Sequence, residues 1–328
     1  MVGVALIGAG RMGLFHGETL SRRLPGVRLA AVVDPVPGAA AKLGADRACA
    51  DPAEVWDDPR VDAVVIASPI RFHAELAVAA ARAGKHVFCE KPMALTLSDA
   101  DRVIEAARDA GVVLQTGFNR RFAPDWAGAR KLIDAGQVGT PRLLRSLTRD
   151  PGGFDPARVA AGTIFLETLI HDFDTLRFLN PGAEATEVYT AADALVEPDW
   201  RDRGLLDTAV VTVRFSNGAV GTAEACFEAS YGYDVRGEVL GSGGLVTMGD
   251  GRRTGMTFSG PDGRVADTVR GDQELFAGAY TAELAAFTDA VRSGGEAPVT
   301  GTDARGALAI ALAAAESART GKVAEVAK

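Results

Sequence analysis

The chain has 328 residues, with 43 acidic against 35 basic side chains, a net charge of −8 and 47% hydrophobic residues. Such a composition belongs to a folded protein long enough for two cores, and it excludes a nucleic-acid footprint, because backbone binding relies on clustered Lys and Arg. A membrane surface is excluded on the same ground.

Cys49, Cys89 and Cys226 are odd in number and far apart. They form neither a disulfide framework nor a C-x-x-C metal pair, and are expected to be buried free thiols in a reducing cytoplasm. MVGVALIGAG has no basic leader, which argues against a signal peptide, and the apolar run from Leu308 to Ala315 is too short to span a bilayer.

Val2 to Ile7 is an apolar run typical of a buried parallel strand, followed at once by Gly8-Ala-Gly10-Arg11-Met12-Gly13 and a helical pattern through Leu24. In a dinucleotide-binding turn Gly8 makes the tight bend, Gly10 lets backbone approach a pyrophosphate, and Gly13 lets helix and strand pack closely. The phosphates are then expected against the N–H groups of the helix start, around Arg11 and Met12. A second apolar run, Val27 to Val33, ends in Asp34, about twenty residues beyond the last glycine, where a carboxylate accepts hydrogen bonds from an adenosine ribose. Pro35 follows with no adjacent Arg to welcome an extra phosphate, so the expected cofactor is NAD rather than NADP.

Strand and helix patterns continue to alternate: Val61 to Ala67, Phe72 to Ala83, His86 to Cys89, Ser98 to Ala110 and Val112 to Thr116. Ser98 with Asp101 reads as a capping box. The fold class is therefore α/β, with a doubly wound parallel (Rossmann) sheet over residues 1–118. Ligands on such sheets bind beyond the carboxyl ends of the strands, which selects Ser68-Pro69 and Glu90-Lys91-Pro92. His73 either covers its own helix or joins the cofactor site.

Past Gly117 the pattern becomes that of a second, α+β domain, residues 119–328, with a mostly antiparallel open sheet. A helix is expected from Pro124 to Ala135, and another in IFLETLIHDFDTLRFL, Ile164 to Leu179. At helical spacing Leu166, Leu169, Ile170, Phe173 and Leu176 form its apolar stripe. Glu167, His171 and Asp174 share a neighbouring sector, while Asp172 points elsewhere. Asp207 to Phe215 and Ala219 to Glu228 read as a hairpin about Ser216-Asn217-Gly218, since Asn-Gly supplies positive φ angles. Val235 to Leu240 with Leu245 to Met248 reads as another, and strands at Thr257 to Phe258 and Arg264 to Val269, about Pro261-Asp262-Gly263, complete the sheet. Alternation puts Tyr231 and Tyr233 on one face, and Asp150 starts a turn or reaches a ligand. The 164–179 helix is expected to cover one sheet face, and the other to serve as an interface of a homo-oligomer, a dimer or tetramer.

With GAGRMG, Glu90-Lys91-Pro92, Gly117-Phe-Asn-Arg-Arg-Phe122 and the histidine helix, the whole chain resembles the glucose–fructose oxidoreductase, inositol dehydrogenase and MocA-like family. Arg149 to Pro151, LIHDFDTLRFL and YGYDVRGEVLGSGG look most like its inositol 2-dehydrogenase branch. The resemblance implies hydride transfer between NAD and a secondary alcohol of a cyclitol or sugar, with Lys91, His171 and Glu167 at the catalytic positions. It further implies cofactor contacts from Gly8 to Gly13, Asp34, Ser68, Pro69, His73, Glu90 and Lys91, and substrate contacts from Arg121, Asp150, Glu167, His171 and Tyr231. The chemistry is consistent: histidine, with an unperturbed pKa of about 6.5, suits a base for the hydroxyl proton, and an ammonium stabilises alkoxide character. The family pattern carries aspartate where this chain has Glu167, so a substrate other than myo-inositol stays open. Two rivals remain at this point: an NAD-binding regulatory protein without turnover, and a metal site at Glu167, His171 and Asp174.

Overall fold

The computed structural model describes residues 1–36, 38–153, 157, 159–261 and 263–328. The chain divides into two compact units, one of 1–119 with 278–308, the other of 120–277 with 309–328.

In the first unit β1 (Val2–Ile7), β2 (Val27–Val33), β3 (Ala48–Cys49), β4 (Ala63–Ile66), β5 (His86–Glu90) and β6 (Leu114–Gly117) form a parallel sheet in the order β3-β2-β1-β4-β5-β6. Its helices are α1 (Arg11–Arg22), α2 (Ala39–Leu43), α3 (Ala53–Trp56), α4 (His73–Arg82) and α5 (Leu97–Ala110). All six β1 residues are buried. Covered on both faces, a parallel strand has no solvent side to alternate with, which is why its sequence is an unbroken apolar run. Val4, Leu6, Leu29, Val65 and Phe88 pack in one core with Leu284 and Phe287 of a late helix, Ala277–Ser293. The strand order reverses between β1 and β4, placing Gly8 and Ser68 at the switch point where open α/β sheets bind ligands.

The α5 cap lies two residues before the expected Ser98. Thr96 Oγ1 accepts from the Asp99 N–H at 3.1 Å and donates to the Asp99 carboxylate at 2.8 Å. Asp101 instead pairs with Arg305, so the same cap chemistry is satisfied by an earlier Thr-x-x-Asp frame.

The second unit contains α6 (Pro124–Asp134), β7 (Pro141–Arg149), a π-helical turn (Ile164–Thr168) leading into α7 (Leu169–Phe178), and β8 (Ala185–Asp193). β9 (Thr208–Phe215), β10 (Val220–Cys226), β11 (Asp234–Gly241), β12 (Leu245–Met248), β13 (Arg252–Gly260), β14 (Gly263–Thr268) and α8 (Asp272–Leu275) follow. The chain ends with α9, the late helix named above, α10 (Gly301–Thr320) and β15 (Ala324–Glu325). A seven-stranded sheet runs β12-β11-β7-β10-β9-β8-β15, with β7 and β10 parallel and the other neighbours antiparallel.

β9 and β10 pair about Ser216 to Gly218, where Gly218 has a φ of 86°. β13 and β14 do not extend the large sheet as expected. They form a separate two-stranded ribbon whose β13 residues are nearly all exposed, so no buried face ties it to the main sheet. Asp262 of the expected turn between them lies outside the described residues. Cys226 is half-buried rather than buried.

α7 packs on β7 and β10, and Gly221 of β10 leaves room for Leu176. The helix phase differs from the expectation. The π turn takes an extra residue, so Ile164 and Phe165 turn inward with Leu169, Ile170, Phe173 and Leu176, while Leu166 drops off the stripe.

Candidate active site

The glycine turn is fixed by close approach. A Cβ on Gly8 would lie 2.7 Å from Ser68 backbone atoms, and one on Gly13 would lie 2.0 Å from the Gly8 carbonyl oxygen, whereas one on Gly10 would meet nothing within 4 Å. Helix α1 starts at Arg11 and Met12 with no side-chain cap, so its dipole end is left for an anion. Asp34 accepts from the Ala9 N–H at 2.6 Å and the Val36 N–H at 2.8 Å, tying β2 to the turn. Each carboxylate oxygen keeps a second lone pair for a ribose hydroxyl. The Ser68 hydroxyl is buried with no hydrogen-bond partner among the described residues, and Pro69 continues the same strand end. Open space over Gly10, an uncapped helix start and an orphaned hydroxyl at the switch point fit a dinucleotide.

At the end of β5, Glu90 is buried. His16 Nε2 lies 2.6 Å from its Oε1, and its Oε2 accepts the Lys91 N–H at 3.2 Å. Gly117 makes room for this carboxylate, since a Cβ there would sit 3.2 Å from it. Burial pushes the Glu90 carboxyl up, but the His16 hydrogen bond and the charges of His16, Lys91 and His73 outweigh it and hold Glu90 below the usual range. His73 is buried and bridges two strand ends, with Nδ1 2.9 Å from the Pro92 carbonyl and Nε2 2.8 Å from the Ser68 carbonyl. A ring with both nitrogens protonated donates to both.

In the second unit Glu167 is exposed on the π turn and His171 is half-buried on α7. Asp174 differs from them in burial. It is buried and bound by the Arg121 fork, Nε to Oδ2 at 2.9 Å and Nη2 to Oδ1 at 2.6 Å. Asp172, expected to point elsewhere, faces the interior. It accepts from Arg120 Nη1 at 2.8 Å, Ser146 Oγ at 2.6 Å and Thr148 Oγ1 at 2.7 Å, while Arg120 also donates to Thr148 Oγ1 at 2.6 Å. Two adjacent arginines before α6 thus hold two carboxylates of α7, on either side of its first buried turns.

The Asp174 oxygens already face the Arg121 guanidinium, which does not favour the rival metal reading at Glu167, His171 and Asp174. Among the described residues, the side chains with metal-like proximity are His16, Glu90 and Glu283.

Tyr231 and Tyr233 part company: Tyr231 is half exposed, donates to Asp234 at 2.7 Å and accepts from Arg149 at 3.2 Å, whereas Tyr233 is buried. Strand alternation fails there because β11 begins only at Asp234. Burial raises the Tyr233 hydroxyl pKa despite the opposing Arg120 charge. The Asp150 backbone closes the end of the sheet, its N–H donating to the Cys226 carbonyl at 2.9 Å and its carbonyl accepting from Ala229 at 2.6 Å.

The chain matches the family model for an oxidoreductase family with an NAD-binding Rossmann fold over residues 2–118, and the model for the C-terminal alpha/beta domain of that family over residues 130–326. It belongs to the glucose–fructose oxidoreductase, inositol dehydrogenase and MocA-like family.

It is 38% identical to scyllo-inositol 2-dehydrogenase (NAD(+)) of Bacillus subtilis (strain 168), covering 97% of this chain and 94% of that protein. It is 39% identical to myo-inositol 2-dehydrogenase of Thermotoga maritima, covering 96% and 95%. The crystal structure of scyllo-inositol dehydrogenase from Lactobacillus casei with NAD(H) and scyllo-inositol superposes with a TM-score of 0.95 at 27% identity, over 100% of both chains. This oxidoreductase uses NAD.

Sequence reasoning did not find four residues of the oxidoreductase's polar interior: His16, Glu283 and the Arg120–Asp172 pair. His16 sits on a helix already explained by its glycines. Glu283 lies on a helix whose Ala-rich pattern gives little contrast between faces. Arg120 lies 52 positions from Asp172, so their pairing has no local signal.

Proposed function

We propose that this oxidoreductase transfers hydride from a secondary alcohol of a cyclitol, an inositol-like ring, to NAD. The full-length likeness to two inositol 2-dehydrogenases supports this reading most strongly. NAD supplies the hydride acceptor when bound. The α1 start, Gly10 and Asp34 bind its phosphates and ribose, with Ser68, Pro69, His73 and Glu90 lining its path past the strand ends. His171 takes the hydroxyl proton and Lys91, as an ammonium, stabilises developing alkoxide charge. Glu167 binds ring hydroxyls; its extra methylene relative to aspartate favours a different hydroxyl pattern from that of an aspartate-bearing relative. Arg121, Asp150 and Tyr231 complete the substrate contacts in this proposal.

The protein works in the cytoplasm as a homotetramer, consistent with three unpaired cysteines, no helix among the described residues long and apolar enough to cross a membrane, and an exposed sheet face carrying Leu143, Tyr189, Val210, Leu240 and Leu245. The test is NAD reduction over a panel of inositol isomers, sugars and acyclic polyols. Turnover concentrated among cyclitols is the expected result. Tight NAD binding with no reduction by any polyol would replace catalysis with a regulatory role.

A further inference from the structure

Three elements of the first unit bring titratable side chains to one buried point. His16 comes from α1, Glu90 from the end of β5 and Glu283 from α9; each offers a ligand atom within 4.8 Å of the others. His16 and Glu283 are 0% exposed. The surroundings are apolar: the His16 ring meets Phe88, Tyr280 and Phe15 edge-on, with centroids 5.7, 5.9 and 6.3 Å away. Among the described residues, neither Glu283 carboxyl oxygen has a hydrogen-bond partner, nor does His16 Nδ1. The backbone carbonyl of Glu283 accepts from Gln115 Nε2 at 2.8 Å.

Two carboxylates this close in an apolar interior cannot both ionise, because the second charge is opposed by the first and by desolvation. Such a pair carries a single proton and titrates as a unit. The other charged or titratable groups facing it are Lys91 and His73, whose charges act on Glu90, and the buried Cys89 thiol, pushed up by burial and then by Glu90. Lys91 and His73 favour keeping the negative charge on Glu90, which accepts from His16 and the Lys91 backbone, and the thiol stays neutral beside it. The proton therefore resides on Glu283, whose carboxyl is raised by burial and further by Glu90.

We propose that His16 and Glu283 are positioning residues for Lys91: with Glu283 neutral, they hold Glu90 in place as a single negative charge behind the lysine. The inference rests on the reading of Lys91 as the alkoxide-stabilising group, but its physical core, a neutral acid at Glu283, is independent of which alcohol is oxidised. A divalent cation bound by the same three groups is the competing occupant. The 2.6 Å His16–Glu90 contact disfavours it, since that distance is a hydrogen bond already made.

The experiment is infrared spectroscopy of the full-length protein saturated with NAD at neutral pH, paired with kinetics of Glu283→Gln and Glu283→Leu. Wild type should show the carbonyl band of a protonated carboxylic acid, absent from E283Q. In E283L kcat should fall about tenfold, equivalent to one pKa unit of lost charge control, with the KM for NAD within about twofold. E283Q, neutral and hydrogen-bonding, should recover most of that loss. A wild-type spectrum without the band, a band that persists in E283Q, or a stoichiometric metal retained by wild type and lost from E283Q would overturn the proposal. A protein with the band but no cyclitol turnover would instead count against the functional reading alone.

Discussion

Arg120 and Asp172 form a buried ion pair, Nη1 to Oδ1 at 2.8 Å, with side chains 3% and 0% exposed. Burial would favour loss of the Arg120 charge, yet Asp172 and Tyr233 more than compensate, so the guanidinium is held above its ordinary value. Removing one partner leaves the other charge stranded, at a cost of roughly 3–5 kcal/mol. Asp172→Asn should therefore lower the melting temperature by roughly 10 °C or more. Because Asp172 follows His171 on α7, kcat should fall as well. Thermal unfolding checks the first effect, and the double variant Arg120→Met with Asp172→Leu should regain much of the lost stability.

Asp34 has two duties, anchoring the glycine turn through Ala9 and meeting the ribose. Asp34→Ala should weaken NAD binding roughly 10–100-fold, the range for losing hydrogen bonds to a charged group. NADP should lose far less, since the carboxylate that repels its extra phosphate is gone. Fluorescence titration with NADH and NADPH measures both; equal losses would take Asp34 out of cofactor selection.

Glu283 also links stability to pH. Its folded pKa is raised above the ordinary 4.5, so the folded chain keeps a proton that the unfolded chain releases. Stability from this group is full below about 4.5 and is lost as pH rises through the raised folded value. Glu283→Gln removes the titration, and its melting temperature should decline less than that of wild type between mildly acidic and alkaline pH. Parallel curves would mean that Glu283 is ionised in the folded protein.

How far these relationships could be read in advance depended on whether the governing signal was local. The parallel strands of the first unit announce themselves because β1 is buried on both faces, and Gly8 and Gly13 because backbone approach permits no Cβ. β7 and β8 were not legible in the same way: β7 turns Ser146 and Thr148 inward, so polar residues occupy positions where a strand pattern expects apolar ones. The charged edge of the histidine helix was legible as chemistry but not as geometry. Glu167 shares a sector with His171 and Asp174 only if the helix is α throughout, and the turn at Ile164–Thr168 is not. The partner of each buried charge, 52 positions away for Arg120 and Asp172, has no sequence signature.

The exposed sheet face offers a separate check on assembly. Val210 is 44% exposed while its strand neighbours Ala209 and Val211 are buried, so it faces outward, between Ala191 of β8 and Glu224 of β10. If this face carries the proposed assembly, Val210→Asp should shift it to smaller species with unchanged circular dichroism. Sedimentation velocity of wild type and variant decides it, and identical sedimentation would place the interface elsewhere.

The central claim, that His171 serves as base in oxidation of a cyclitol by NAD, is met most directly by steady-state NAD reduction with the best cyclitol substrate, comparing wild type with His171→Ala. General-base removal should lower kcat by about 10²–10⁴-fold while NAD affinity is kept. Unchanged turnover in the alanine variant would contradict the account.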